Sequence, residues 1–179
     1  MQSLKSTKVL VSLAVLVAIS IVLGKYLAIG IGEVLRFSME NLPVLFAGIA
    51  FGPVAGALVG AVADLIGCLM VGFTINPVVT VGAAVIGAVG GLVPLILSKR
   101  IKGERLIIAI TVSLAHLIGS VLIKTFGLSA YYDMPFIILM LWRLLNYTVV
   151  GGIEGVLLYT LFNSKGIRRQ LSLITEDKK

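Results

Sequence analysis

Long apolar runs fill most of this chain, and polar side chains interrupt them at a few places. The first run, VLVSLAVLVAISIVLG, follows Lys5 and Lys8 and predicts a helix over about 8–28. It is longer than the h-region of a typical cleaved signal and further spans follow, so it reads as a retained first helix. The next block, NLPVLFAGIAFGPVAGALVGAVADLIGCLMVG, is too long for one span. Proline is tolerated in the first helical turn and disrupts a helix interior, so Gly52-Pro53 divides the block into helices over about 35–51 and 53–71. PVVTVGAAVIGAVGGLVPLIL predicts a helix over about 77–97. Two more are expected over about 105–125 and 135–163, joined by TFGLSAYYDMP, whose Gly, Ser, Asp and Pro are loop formers. Tyr131 and Tyr132 in that connection suit a membrane interface.

Charge fixes the expected orientation. Lys5 and Lys8, then Lys99, Arg100, Lys102 and Arg105, then Lys165, Arg168 and Arg169 form three clusters, each bordering a hydrophobic stretch. Basic residues flank the cytoplasmic ends of membrane helices, so even numbers of helices must separate the clusters. The expectation is an all-α integral membrane protein: a single domain over 1–179, a six-transmembrane-helix bundle with both termini cytoplasmic and a cytoplasmic tail over 164–179. The formal net charge of +7 reflects these flanks, which argues against a nucleic-acid surface. Composition agrees, with 59% hydrophobic residues, 13% charged residues and a mean hydropathy of +1.11. A soluble domain carries about a quarter charged residues, so lipid must be the solvent for much of this surface. Cys68 is the sole cysteine, which leaves no internal disulfide and no thiolate metal cluster, and no cofactor or metal is expected.

Gly52, Gly56 and Gly60 recur every fourth residue, a small-xxx-small row that lets helix backbones approach in lipid. Gly82, Gly87, Gly90 and Gly91, and Gly151, Gly152 and Gly155, are read as similar packing rows. Ala14 and Ala18 make a small face on the first helix, suited to internal packing or to an external partner. Ionisable groups within the spans are costly, about 2.5–3.5 kcal/mol at the bilayer centre, so Asp64, His116, Arg143 and Glu154 stand out, with the amide of Asn146. At about 1.5 Å per residue, Asp64 and His116 lie roughly 16 Å from the cytoplasmic ends of their helices, and Arg143 lies roughly 12 Å below an outer end. Three helices thus deliver polar groups to the middle and outer half of the membrane, as a pocket open to the outside requires. An Asp64–Arg143 ion pair is a structural alternative. Glu154 falls nearer the cytoplasm and is left out of the expected site, and Lys25 and Lys124 read most simply as snorkelling interface residues. No credible nucleophile–base arrangement, HExxH zinc motif or GxxxxGK[ST] phosphate loop occurs, so neither an enzyme nor a self-energised pump is expected.

RFSMENLPVLFAGIAFGPVAGALVGAVADLIG resembles the substrate-binding S components of energy-coupling factor (ECF) transporters. Its RxSxENLP run followed by AGxxFGPxAGAxVGxxAD is similar to the folate-specific members. That resemblance implies a cell-membrane subunit that captures folate from outside, joined by a transmembrane coupling subunit, EcfT, and two cytoplasmic ECF ATPases whose hydrolysis drives uptake. It also implies that Ala14 and Ala18, an AxxxA face, dock the coupling subunit. A pterin edge presents donors that Asp64, Glu40, Asn41 and Asn146 can accept. Phe37, Phe73, Tyr131, Tyr132 and Trp142 are available for stacking, with His116 as a further ligand candidate. Arg36, Lys124 and Arg143 are candidates for the two carboxylates of the glutamate tail. Thr74 and Asn76 belong to an expected outer loop, although helix capping also accounts for Asn76. Two alternatives remain. One is the same architecture binding a cationic vitamin such as thiamine, against which the several basic candidates count. The other is a stand-alone membrane carrier.

Overall fold

The computed structural model describes residues 6–31 and 35–175; Lys5 and residues 176–179 of the expected tail lie outside them. The chain is helical almost throughout. α1 (Thr7–Ile21) continues as a π-helical turn (Val22–Tyr26), and two short strands follow, β1 (Ile29–Ile31) and β2 (Leu35–Phe37). Next come α2 (Asn41–Phe51), α3 (Pro53–Val71), α4 (Pro77–Leu97) and α5 (Glu104–Ala115), which runs through a π-helical stretch (His116–Ile123) into α6 (Lys124–Tyr132). α7 (Phe136–Asn163) and α8 (Lys165–Thr175) complete the order. β1 and β2 pair antiparallel, with Gly30 opposite Arg36.

Among the described residues, five helices are long and apolar enough to cross a membrane: Thr7–Tyr26, Pro53–Val71, Pro77–Leu97, Glu104–Tyr132 and Phe136–Asn163. Only 28–44% of their most apolar windows is buried within the protein, so most of each presents Leu, Ile and Val outward. Such a surface is stable in hydrocarbon and not in water, and the chain is a multi-pass membrane protein.

Two sequence expectations need correction. The helix expected over 35–51 is replaced by β2 and an 11-residue helix. At about 1.5 Å per residue α2 spans roughly 16 Å, about half of a bilayer's hydrocarbon core. The residues before it pair with β1 instead, through Arg36 and Phe37. The loop expected over TFGLSAYYDMP is mostly the helix α6. Gly127 serves there as a contact, since a Cβ would come within 2.8 Å of Val78, and Asp133 in the left-handed region (φ 50°) ends the helix. Within the expected tail lies the amphipathic α8, whose Leu171 and Ile174 pack on the core while Arg168 bonds Glu104 at 2.9 Å.

The core is the α2–α3–α4 junction, where Leu45, Ala47, Val59 and Ile86 are fully or almost fully buried. Gly52, at φ 99°, makes the reversal between α2 and α3 that a side chain would strain, and Pro53 opens α3. Close approach explains the next glycines: a Cβ on Gly56 would lie 2.7 Å from the Cα of Gly48 and collide with the carbonyl of Gly87. The row expected in α7 does otherwise. Gly151 lies against His116, but a Cβ on Gly152 or Gly155 would meet nothing.

Candidate ligand-binding site

Polar side chains converge at the end of the bundle that carries the strands and the α3–α4 connection. There a cavity of about 80 Å³ is lined by residues from the π-helical turn after α1, β2, α3, α4, α6, α7 and the connections between them. Its charged members are Lys25, Arg36, Lys124 and Arg143 against Glu40 and Asp64, four cations to two carboxylates. At low dielectric such groups are stable only when paired or hydrogen-bonded, and each has its partner.

Glu40 stands one residue before α2 and accepts from Lys124 Nζ at 3.1 Å; the lysine side chain is 4% exposed and the carboxylate 22%. Gly24 makes room for this carboxylate, because a Cβ there would lie 2.7 Å from it. The Ser20 hydroxyl donates to the Glu40 carbonyl at 2.7 Å, tying α1 to the start of α2. Asp64 accepts from the Thr80 hydroxyl at 2.7 Å, across α3 and α4. The alternative of an Asp64–Arg143 ion pair is therefore not realised. Arg143 donates to the Ser120 carbonyl at 2.9 Å and to the Tyr147 hydroxyl at 3.3 Å, and its guanidinium lies over the Tyr147 ring.

Arg36 donates to the Gly24 carbonyl and lies 5.2 Å over the Phe73 ring, while Asn146 donates to the Arg36 carbonyl at 2.7 Å. Asn76 caps α4 by accepting from Val78 and Val79, and its amide donates to the Gly127 carbonyl at 2.8 Å. Its side chain thus holds α4 against α6 while reaching the cavity lining.

Of the residues singled out in the sequence, Arg36, Glu40, Asp64, Phe73, Thr74, Asn76, Lys124, Tyr132 and Arg143 line this cavity. Six do not. Phe37 and Trp142 meet edge to face at 5.7 Å, and Tyr131 packs on Tyr132 at 5.4 Å. Asn41 is buried beside Glu40 and Ser20 in a smaller adjoining void, and Asn146 braces β2 through the Arg36 carbonyl. His116 lies deeper, with Nε2 2.6 Å from Glu154 and Nδ1 3.2 Å from the Ser120 hydroxyl. Its ring stacks on Tyr147 at 4.7 Å.

The sequence reading missed Lys25, Ser38, Cys68 and Tyr147 as lining residues. Lys25 lies in the π-helical turn, with Nζ 3.5 Å from Cys68 Sγ and 5.7 Å from the Phe73 ring. Tyr147 was available as a signal, since it stands one turn beyond Arg143 on the same helix face.

A helical membrane bundle that gathers charged side chains into a cavity at one end has the build of a membrane-embedded binding subunit. The chain belongs to the ECF transporter, substrate-specific component family, whose model matches residues 8–166. Among curated proteins it is similar to the folate transporter FolT of Clostridium novyi (strain NT), 23% identical over 163 residues covering 87% of this chain and 88% of that one. Among solved structures it resembles the crystal structure of FolT bound with folic acid, at a TM-score of 0.70 and 23% identity over 87% of this chain and 92% of that one. It also resembles the S component of a bacterial ECF transporter, at a TM-score of 0.62 and 25% identity over 87% and 96% of the two chains.

Proposed function

We propose that this chain is a folate-binding S component that captures folate from outside the cell for ATP-driven uptake. The observation that carries the reading is charge: four cations face two carboxylates around the cavity, an excess that matches the two carboxylates of folate's glutamate tail. The ligand of the FolT relatives supports the same choice. The same excess disfavours a cationic vitamin such as thiamine.

The protein lies in the cell membrane with the cavity outward, the Lys99–Arg105 cluster inward and both termini cytoplasmic. Six crossings follow if α2, with the β-ribbon above it, counts as the second. One domain comprises all of them. Arg36 receives the tail carboxylates and Asp64 accepts from the pterin edge, while Lys124 and Glu40 stay paired with each other in the wall between them. Sites for drug-sized ligands enclose roughly 300–1,000 Å³, so Arg36 and Phe73 must yield for a folate to fit the 80 Å³ space. The exposed Ala14 and Ala18 of α1 offer the coupling subunit EcfT a close backbone approach, and two ECF ATPases supply the energy.

Calorimetry on the purified chain in detergent tests the ligand. Folate should bind tightly, thiamine should not, and Arg36→Ala and Asp64→Ala should each weaken folate without unfolding the bundle. Thiamine binding without folate binding, or unchanged affinity in both variants, would overturn the proposal.

A further inference from the structure

A larger cavity adjoins the charged one, with Tyr147 lining both. About 580 Å³ in volume, it runs between α5 with its π-helical continuation and α7. Ala109, Val112 and Leu117 form part of one wall, and Gly152, Gly155 and Val156 part of the other. Gly152 and Gly155 face open space, unlike the glycines of the α3–α4 contact, so they shape a trough and do not seat another helix of this chain. In a bilayer such a trough must be filled, because a void forfeits the dispersion contacts of its walls.

One end of the trough is marked by charge. Arg105 lines it with its guanidinium 4.8 Å over the Tyr159 ring, and it makes no ion pair among the described residues. The adjacent carboxylate, Glu104, is taken by Arg168 at 2.9 Å. Lys99, Arg100 and Lys102 precede Arg105 and are exposed. The length also fits one leaflet: from Arg105 to His116 is roughly 16 Å of helix, against about 15 Å for half a hydrocarbon core.

We infer that the α5–α7 trough is a binding site for an anionic glycerophospholipid of the cytoplasmic leaflet, its phosphate on Arg105 and one acyl chain along Gly152 and Gly155. A zwitterionic lipid fills the same trough but brings no net charge to the basic rim. A guanidinium fork meets two phosphate oxygens at once. The inference takes its leaflet from the orientation proposed above and owes nothing to folate.

The test is native mass spectrometry of the full chain released from nanodiscs holding equal phosphatidylglycerol and phosphatidylcholine. The wild type should retain one phosphatidylglycerol in preference to phosphatidylcholine. Arg105→Gln should lower that preference about fivefold. Gly152→Leu should reduce retention of both lipids, while circular dichroism and folate affinity stay at wild-type values in each variant. Equal retention of the two lipids by the wild type, or an unchanged preference in Arg105→Gln, overturns the inference. So does a Gly152→Leu variant that keeps its lipid but no longer joins its coupling subunit, which would make the trough a helix dock. Loss of folate binding alone, with lipid retention intact, would count against the ligand reading and leave the lipid site standing.

Discussion

Removing the carboxylate of Glu40 leaves Lys124 as a buried cation without its partner. At 3.1 Å and an effective dielectric of about 20, the pair's gross attraction is roughly 5 kcal/mol. Desolvation offsets part of that, and breaking a buried pair by removing one member typically costs about 3–5 kcal/mol. Glu40 keeps 22% of its side chain exposed, which places Glu40→Gln near the lower end, at about 3 kcal/mol. Lys124→Met should cost a similar amount, because Glu40 then faces the cavity without its closest cation. The double variant should recover most of either loss, since it removes both charges and the flexible Met fills the lysine's space. A double-mutant cycle on unfolding in mixed detergent micelles measures the coupling, expected at about 5 kcal/mol because two single losses of about 3 kcal/mol each fall to about 1 kcal/mol in the double variant. Additivity within about 0.5 kcal/mol would show that the two charges do not stabilise each other and would refute the reasoning.

Other perturbations separate packing from open surface. Gly56→Ala drives a methyl into Gly48 and Gly87 and should cost at least about 1–3 kcal/mol, whereas Gly155→Ala, facing open space, should change thermal stability by less than about 0.5 kcal/mol. Asn76→Ala removes a cap and the bond to the Gly127 carbonyl and should cost about 1–2 kcal/mol in the same assay. His116→Ala leaves Glu154, 0% exposed, without its 2.6 Å partner; a loss of about 3–5 kcal/mol is expected, and His116→Ala/Glu154→Leu should regain much of it.

Much of the site was legible because polar groups are conspicuous against lipid-facing sequence. Arg36, Glu40 and Asp64 are out of place in their apolar surroundings, and the structure brings all three to one cavity. What escaped the sequence reading has local causes. Lys25 sits near a helix end, where a snorkelling lysine is the ordinary expectation, and only the π-helical turn carries it to Cys68 and Phe73. The strands are three residues each, too short to show an alternation, so Leu35–Phe37 was absorbed into the apolar run that follows. Gly127 and Ser129 read as loop formers, yet Gly127 is a contact point against Val78 and the Ser129 hydroxyl bonds the Met134 carbonyl at 2.7 Å. Glycine rows predicted close helix approach correctly in α3 and α4 and misled in α7, because the spacing is the same whether the row meets a backbone or a groove.

Arg36 is held twice, its carbonyl by Asn146 of α7 and its guanidinium by the Gly24 carbonyl in the π-helical turn after α1. A carboxylate that comes to this guanidinium does not find an idle donor; it takes the place of a backbone oxygen. The gain is the difference between a charged and a neutral acceptor, less whatever Gly24 loses if water does not replace the arginine. Affinity at this position is thus an exchange reaction, and hydration of one backbone carbonyl in that turn enters the equilibrium constant for a ligand that never touches it.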